Sequence, residues 1–559
     1  MIEYIYYSHE KLDFPLNEKI LIVDDIQKVN ENCMISNSKE IEAEMYAPEI
    51  DFYIKNSQDS LADKIKTVET LYEIRAIKLD YATDFKSIKE IGNKLLLVGD
   101  KEQLVEMEKE FGEDFDLYFA ERGSVQKIEG TIGELKVFLS RKGKTTPLNV
   151  DQMIWFDALD FAFLQNGVYD PLKEGKDEVI KKIKENIKSF SYKTSISYNP
   201  DICQYKGRDG KEKGDICGDC ADICPTNAIL KVDENKELVF SDIDCETCGG
   251  CVSVCPSGAL DLKASPREYM YEASNLLKDR KILVIPEVMD IENIKASLPE
   301  KVVPLVVGGR KFLHEAHFIS LFQQSGHQVV FYTDFISKGT KSALDFVNEI
   351  AQRRYGLDMV NVCKDENELE NFLQEAKKVE EAIYHINEIG LKKREIFSMR
   401  LSHLVGGRDL GVYKNQNEYI HYGKVIVNEN NCTLCLSCVG ACNIGAFSAH
   451  AQDNTLRFNA SLCTDCGYCE VVCPEEDCIT IVRDEFELKP DSFKSLILAQ
   501  DELFKCVECG KEFAPRKAVL KIAEKMTPLF NGDEVKIRTL YCCETCKAKL
   551  MLKAQIGEI

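Results

Sequence analysis

Along residues 1–195, short apolar runs alternate with charged segments of helical character. The runs are Ile20-Leu21-Ile22-Val23, Leu95-Leu96-Leu97-Val98 and Asp116-Leu117-Tyr118-Phe119; the helical segments include Ser60 to Glu73 and Lys101 to Phe111. An apolar run without alternation has no polar face to give to water, so it suits a strand covered on both sides. The pattern predicts an α/β domain with a largely buried sheet. The glycine-punctuated stretch Ile128-Glu-Gly-Thr-Ile-Gly-Glu-Leu-Lys-Val-Phe-Leu predicts a hairpin or meander. A helix from Pro266 to Asp279 then opens a second α/β region, about 280–425. There Lys281-Ile-Leu-Val-Ile, Val302-Val-Pro-Leu-Val-Val and Gln328-Val-Val-Phe-Tyr read as strands, alternating with helices His314 to Gln324 and Lys341 to Tyr355. This rhythm predicts a parallel sheet with right-handed crossovers.

Between and after these regions the periodicity gives way to thiols. Cys217-Gly-Asp-Cys220-Ala-Asp-Ile-Cys224-Pro225 is followed by Cys245-Glu-Thr-Cys248-Gly-Gly-Cys251-Val-Ser-Val-Cys255-Pro256. The spacing returns at Cys432, Cys435, Cys438 and Cys442, and again at Cys463, Cys466, Cys469 and Cys473 before Pro474. A zinc site usually takes its ligands as two separated C-x-x-C pairs. Three thiols at spacing three instead wrap one corner of a cubane, and the fourth, ahead of proline, reaches the neighbouring cubane.

This pattern resembles the bacterial two-cluster ferredoxin, used twice. The resemblance implies four 4Fe–4S clusters with crossed ligand sets. In the first module the sets are Cys203, Cys217, Cys220 and Cys255, and Cys245, Cys248, Cys251 and Cys224. In the second they are Cys432, Cys435, Cys438 and Cys473, and Cys463, Cys466, Cys469 and Cys442. Sixteen of the 24 cysteines are used in this way. The first module departs from the family, because its only candidate first ligand is Cys203, fourteen positions before Cys217. The polar loop Lys206-Gly-Arg-Asp-Gly-Lys-Glu-Lys-Gly between them is expected to fold out as an exposed excursion. The rival reading makes Cys203 a free thiol beside a cluster with one labile or missing iron. Cys442 precedes Asn443 where the family has proline; proline only presets the turn, so Cys442 is kept as a ligand. Ile229-Leu-Lys-Val and Leu238-Val-Phe read as a hairpin holding the halves in register, and Lys424-Val-Ile-Val as the strand leading into the second module. Asp219, Asp222, Asp242, Asp244 and Glu246 near the ligands disfavour an added electron and point to low potentials.

The tail has a different signature. Cys506-Val-Glu-Cys509 and Cys543-Glu-Thr-Cys546 are two knuckles resembling a zinc ribbon, with a helix expected from Pro515 to Met526. Zinc is favoured; a rubredoxin-type iron site is the rival, and Cys542 is a less well spaced substitute for Cys543. Residues 505–559 carry 11 basic and 7 acidic side chains, on a chain whose net charge is −23. A basic tail on an acidic protein suits docking of an acidic redox partner, while the overall charge opposes nucleic acid or an anionic membrane surface. The opening Met1-Ile-Glu-Tyr-Ile-Tyr-Tyr has no basic segment before an apolar run, so no signal peptide is expected. No apolar run approaches about 18 residues, so no membrane span is expected, and the cytoplasm is the expected compartment.

Four tempting motifs fail or reduce to packing. Gly143-Lys144-Thr145 would end a phosphate loop only with glycine at 138, which is Phe138, so Arg141-Lys142-Gly143-Lys144 reads as a solvated turn. His314-Glu-Ala-His317 misses the zinc-protease spacing, because position 318 is Phe318; the two histidines read as partly exposed polar residues. Val307-Gly-Gly-Arg310 recurs as Val405-Gly-Gly-Arg408, and both read as loops at strand ends. Cys33, Cys363 and Cys478 read as packed residues.

The expectation is a multidomain α/β and α+β chain in which two ligand-free α/β regions alternate with two dicluster modules, ending in a zinc-ribbon-like module. The boundaries read as 1–195, 196–265, 266–425, 426–485 and 500–559. The function expected is a polyferredoxin-like carrier of single electrons to or from a cytoplasmic oxidoreductase, more than a stand-alone enzyme. The order of modules, with Gly326-His-Gln-Val-Val-Phe-Tyr-Thr-Asp, resembles iron–sulfur proteins accompanying formate dehydrogenase, and implies that enzyme as partner. Residues 128–139 are similar to a stretch of heterodisulfide-reductase-type iron–sulfur proteins. An oxidoreductase subunit with its own flavin or other organic cofactor is the alternative, though no G-x-G-x-x-G follows a strand. A redox-sensing scaffold is the third reading.

Overall fold

The computed structural model describes residues 2–9, 12–29, 32–141, 143–209, 216–414, 417–483 and 485–558. At the centre lies a parallel sheet with strands in the order Val302–Val307, Lys281–Pro286, Val329–Tyr332, Val360–Cys363. Ile282, Leu283, Val284 and Ile285 are fully buried, as a run apolar on both faces requires. The helix Glu315–Ser325 on this sheet is buried at every position. Two of its polar side chains find partners inside: Gln323 Nε2 donates to the carbonyl of Arg400 at 2.9 Å, and Ser320 to Glu388 at 2.7 Å.

The apolar rhythm of residues 1–195 is divided between two parallel sheets with separate cores. The first has the order Ile20–Val23, Ile2–Tyr7, Cys33–Ser36, Ala43–Tyr46, and its helices Glu49–Asn56 and Leu61–Tyr81 share one core with the central sheet. Arg75 on the second helix donates to Glu287, which follows a central strand, at 2.9 Å. The second sheet has the order Val168–Tyr169, Gln152–Trp155, Lys94–Val98, Asp116–Ala120. An antiparallel meander of Val125–Glu129, Leu135–Arg141 and Lys144–Val150 packs with it. Gly143 closes the turn of that meander at φ 76°, and Lys142 lies outside the described residues.

Two ferredoxin-like units complete the mixed α/β architecture. In the first, Ile196–Tyr198 pairs antiparallel with Leu260–Leu262 around the hairpin Ile229–Val232 and Glu237–Phe240. In the second, Gly423–Val427 pairs with Ile479–Arg483 around Phe447–His450 and Thr455–Phe458, to which Leu496–Gln500 adds a strand. The tail is the hairpin Leu503–Lys505 and Glu512–Pro515 followed by helices Arg516–Met526, Glu534–Thr539 and Glu544–Gln555.

Two expectations are corrected here. His314 and His317 are not partly exposed but buried, at 1% and 4%, with rings stacked 3.8 Å apart. His314 caps its helix, its Nδ1 accepting from the Ala316 amide at 3.2 Å, so burial is compensated by a hydrogen bond that helix N-termini need. The glycine pair at 406–407 follows the helix Lys393–Val405 and not a strand, with Gly406 at φ 58° as its cap.

Candidate iron–sulfur and metal centres

In every motif the loop between thiols turns through left-handed backbone. Thr247, Leu434 and Asp465 hold the same place, just before the second thiol of their C-x-x-C pairs, at φ of 52°, 51° and 52°. The residues just after that thiol, Gly249, Leu436 and Gly467, lie at 75°, 62° and 78°. Threonine and leucine take such values only where the surroundings impose them, so these loops are shaped by what they enclose. At Gly249 a Cβ would also stand 2.4 Å from that of Phe312, which leaves room for glycine alone. Gly218, at φ 146°, follows Cys217 as Gly249 follows Cys248. Cys217-Gly-Asp-Cys220 therefore stands in for a second pair, and the missing pair is the first. A short helix follows in each motif: Asp219–Asp222, Gly250–Val254, Ser437–Ala441 and Tyr468–Val472.

The thiols gather across motifs. Cys224 lines one cavity with Cys245, Cys248 and Cys251. Cys473 lines a second with Cys432, Cys435 and Cys438, and Cys442 a third with Cys463, Cys466 and Cys469. Cys203, Cys217, Cys220 and Cys255 lie near Tyr198: Cys203, Cys220 and Cys255 act on its hydroxyl, and Cys255, Cys217, Cys251 and Cys203 act on the Cys220 thiol. Burial first, and neighbouring thiols after it, push Cys438 up to about 12 and Cys251 and Cys469 in the same direction. Among the neighbours acting on Cys251 is Cys224, and among those acting on Cys469 is Cys442. Sulfur donors around one enclosed space fit a 4Fe–4S cluster, whose iron would displace the thiol protons. A fifth thiol, Cys478, lines the cavity of Cys432 and is buried.

The loop after Cys203 does not simply fold out. Lys206, Gly207 and Asp209 are exposed, but Gln204 and Arg208 are buried at 2% and 6%, and both line the cavity of Cys442, Cys463, Cys466 and Cys469. Arg208 finds partners there that replace water: it donates to the carbonyl of Ala441 at 2.7 Å and to Cys466 Sγ at 3.6 Å, and lies over the Tyr468 ring. Residues 210–215 of the loop lie outside the described residues. Around the first module, buried Lys393 donates to the carbonyl of Cys255 at 3.0 Å and Arg394 to that of Pro256 at 3.1 Å. Asp244, expected only as a nearby charge, is buried and accepts from Thr131 and the Asn166 amide at 2.8 Å each.

In the tail, the sulfurs of Cys506, Cys509, Cys543 and Cys546 all lie within 4.8 Å of one another. Cys509 and Cys543 are 3.7 Å apart. Tetrahedral coordination with metal–sulfur bonds of about 2.3 Å separates sulfurs by about 3.8 Å, so the set has the size of a single metal ion. Cys542 lies outside this set, its thiol donating to the carbonyl of Arg538 at 3.3 Å. Burial opposes it, but the amides of Cys543, Glu508 and Cys509 bring the Cys506 thiol down to about 6.

The alternating pattern did not reveal a cavity of about 780 Å³ at the carboxyl ends of Lys281–Pro286 and Val302–Val307. Arg75 and Lys78 line it and meet in Glu287, and Thr247, between Cys245 and Cys248, forms part of its wall. Burial would raise the Glu287 carboxyl, but Lys78 and Arg75 hold it down to about 2. The only local signal was Gly308-Gly309 after an apolar strand.

Two stretches match known families. Residues 215–259 and 424–474 each match a family described as a 4Fe-4S dicluster domain. Fold and site thus define an iron–sulfur, metal-binding protein of the electron-transport kind, with two such domains. A stretch of 63 residues is 32% identical to the archaeal-type glutamate synthase (NADPH) of Thermotoga maritima and to that of Thermotoga sp. strain RQ2, covering 11% of this chain and 12% of each relative. A protein of Nitratidesulfovibrio vulgaris strain Hildenborough is 27% identical over 157 residues, 26% of this chain and 42% of that protein. The chain therefore spans less than half the length of these curated relatives. Among the described residues no helix is long and apolar enough to cross a membrane.

Proposed function

We propose that this chain is a polyferredoxin-like electron carrier holding four 4Fe–4S clusters, and that it works in the cytoplasm with a soluble oxidoreductase. The observation that carries this reading is the crossed gathering of thiols, with Cys224, Cys442 and Cys473 each lining the cavity of the other motif's three. The four ligand sets are Cys203, Cys217, Cys220, Cys255; Cys224, Cys245, Cys248, Cys251; Cys432, Cys435, Cys438, Cys473; and Cys442, Cys463, Cys466, Cys469. Bound there, the clusters would supply one-electron exchange. The protein's own part is to hold sixteen thiolates in place, exclude water, and set local charge. Cys506, Cys509, Cys543 and Cys546 hold zinc, with iron as the rival, in a ribbon-like tail whose positive charge docks an acidic partner. The resemblance over about 280–425 favours formate dehydrogenase as that partner. The glutamate synthase relatives, named for NADPH, support redox work but not that particular enzyme.

Iron and acid-labile sulfide counts after anaerobic purification test the cluster content, with about sixteen of each expected per chain and eight or fewer iron atoms refuting it. An anaerobic pull-down with the bound proteins identified tests the partner. The cavity of about 780 Å³ beside Thr247 favours a second reading, an oxidoreductase with its own flavin or other organic cofactor next to the Cys245 set. An organic chromophore retained after the iron is stripped would support that alternative.

A further inference from the structure

The two departures from the ferredoxin pattern, the long loop after Cys203 and Asn443 in place of proline, meet each other in space. Asn443 Nδ2 donates to the carbonyl of Cys203 at 2.9 Å. Five residues beyond Cys203, Arg208 reaches the other module, where it bonds the carbonyl of Ala441 and the sulfur of Cys466. At 6% exposure its charge is little screened by water. The backbone of Cys203 thus touches the residue after Cys442, and the two thiol sets face each other across a few side chains.

Resting on the four-cluster reading, we propose that this contact is an electron-transfer junction, with Arg208 as its positioning and potential-setting residue. Electrons would then pass through the four centres in one order. The Cys245 set is followed by the Cys217 set, then across the junction by the Cys463 set and the Cys432 set. At the junction one electron leaves one centre as the other gains it, so one is oxidised by one unit and the other reduced by one. No bond is made or broken and no proton is needed. A buried guanidinium that donates to a ligand sulfur stabilises the more negative, reduced form of that centre, and so raises its potential. Arginine suits this place because its fork reaches a carbonyl and a sulfur at once, which a single ammonium does less well.

The test is an anaerobic redox titration of the full chain followed by low-temperature EPR, comparing the parent with Arg208→Gln and Arg208→Lys. In Arg208→Gln one of the four midpoints is expected to move down while the other three stay, and the magnetic coupling between reduced centres to weaken. In Arg208→Lys, which keeps the charge, the midpoint is expected to recover in part. If the Gln variant loses iron, the Lys variant and Asn443→Ala carry the coupling measurement with iron content matched to the parent. A parent with about sixteen iron atoms and unmoved midpoints and coupling in iron-replete variants overturns the junction alone. A parent well short of that count overturns the four-cluster reading on which it rests.

Discussion

Asn443 and Cys203, separated by 240 residues in the chain, are joined by a hydrogen bond of 2.9 Å from side-chain amide to backbone carbonyl. A proline at 443 would have no such donor, so the departure from the ferredoxin pattern is itself the contact. It fixes Cys203 beside the second module, and the buried Gln204 and Arg208 anchor the start of the loop that follows. The first thiol of the first module is thus positioned from outside its own motif.

Cys203→Ser is accordingly expected to make one cluster unstable or to convert it to a three-iron form, while the other three persist. A loop of this length costs little entropy to close, because the cost grows with the logarithm of its length. Iron counting with anaerobic low-temperature EPR decides the matter. An unchanged four-cluster spectrum would mean that Cys203 is no ligand.

Cys224→Ala is expected to damage the centre held by Cys245, Cys248 and Cys251, not the one held by its sequence neighbours Cys217 and Cys220. Cys224 lines the cavity of the distant three. Spectroscopic damage confined to the Cys217 set would contradict the crossed arrangement.

Much of this was visible in the chain because the signals are local. The strand Lys281–Pro286 is a run of apolar residues with nothing competing for it, and the thiol spacings lie within a few residues of one another. What escaped was set by distant pairs. Arg75 meets Glu287 from 212 residues away, and no periodicity shows that residues 2–81 share a core with the central sheet. The burial of His314 and His317 escaped in the same way, because Ser320, Gln323 and Gln324 give their helix a polar stripe, and only distant partners such as Glu388 and Arg400 cover it.

Substituting Cys506 and Cys509 together is expected to release about one metal ion per chain without changing the iron–sulfur spectrum. Metal analysis after bleaching the clusters in the parent identifies the ion. Zinc that survives bleaching supports the ribbon reading, and iron in its place the rubredoxin-type rival. A parent with neither metal in the tail would refute both.

Glu49→Gln should destabilise the packing of helix Leu61–Tyr81 against helix Glu49–Asn56 by about 3 kcal/mol, toward the low end for breaking a buried pair because Glu287 still faces the guanidinium. Arg75 and Glu49 are 1% and 2% exposed, with Arg75 donating to Glu49 Oε2 at 2.7 Å. Anaerobic denaturant unfolding measures the loss. A change of a few tenths would mean that the pair is replaceable by Glu287 alone.

The acid stability of the protein depends on His314 and His317. Burial first holds both imidazoles well below their ordinary 6.5; His317, Lys393 and Arg267 add to this at His314, and Arg267 and Lys393 at His317. The charges facing them include Glu315, which is ion-paired with Lys393 at 3.1 Å. Above the ordinary value neither the folded nor the unfolded chain protonates these rings, and their contribution to stability is fully present. Below it the unfolded chain binds protons that the folded chain refuses, so stability falls as pH falls, until the lowered folded value is reached. Each ring contributes a slope of up to about 1.4 kcal/mol per pH unit in that window. His317→Gln, which keeps a polar side chain but cannot titrate, should remove one such contribution. Unfolding midpoints of parent and variant, measured side by side from pH 7 down to about 5, should therefore show the parent losing stability relative to the variant as the pH falls. Parallel curves would show that His317 is not kept neutral by the fold.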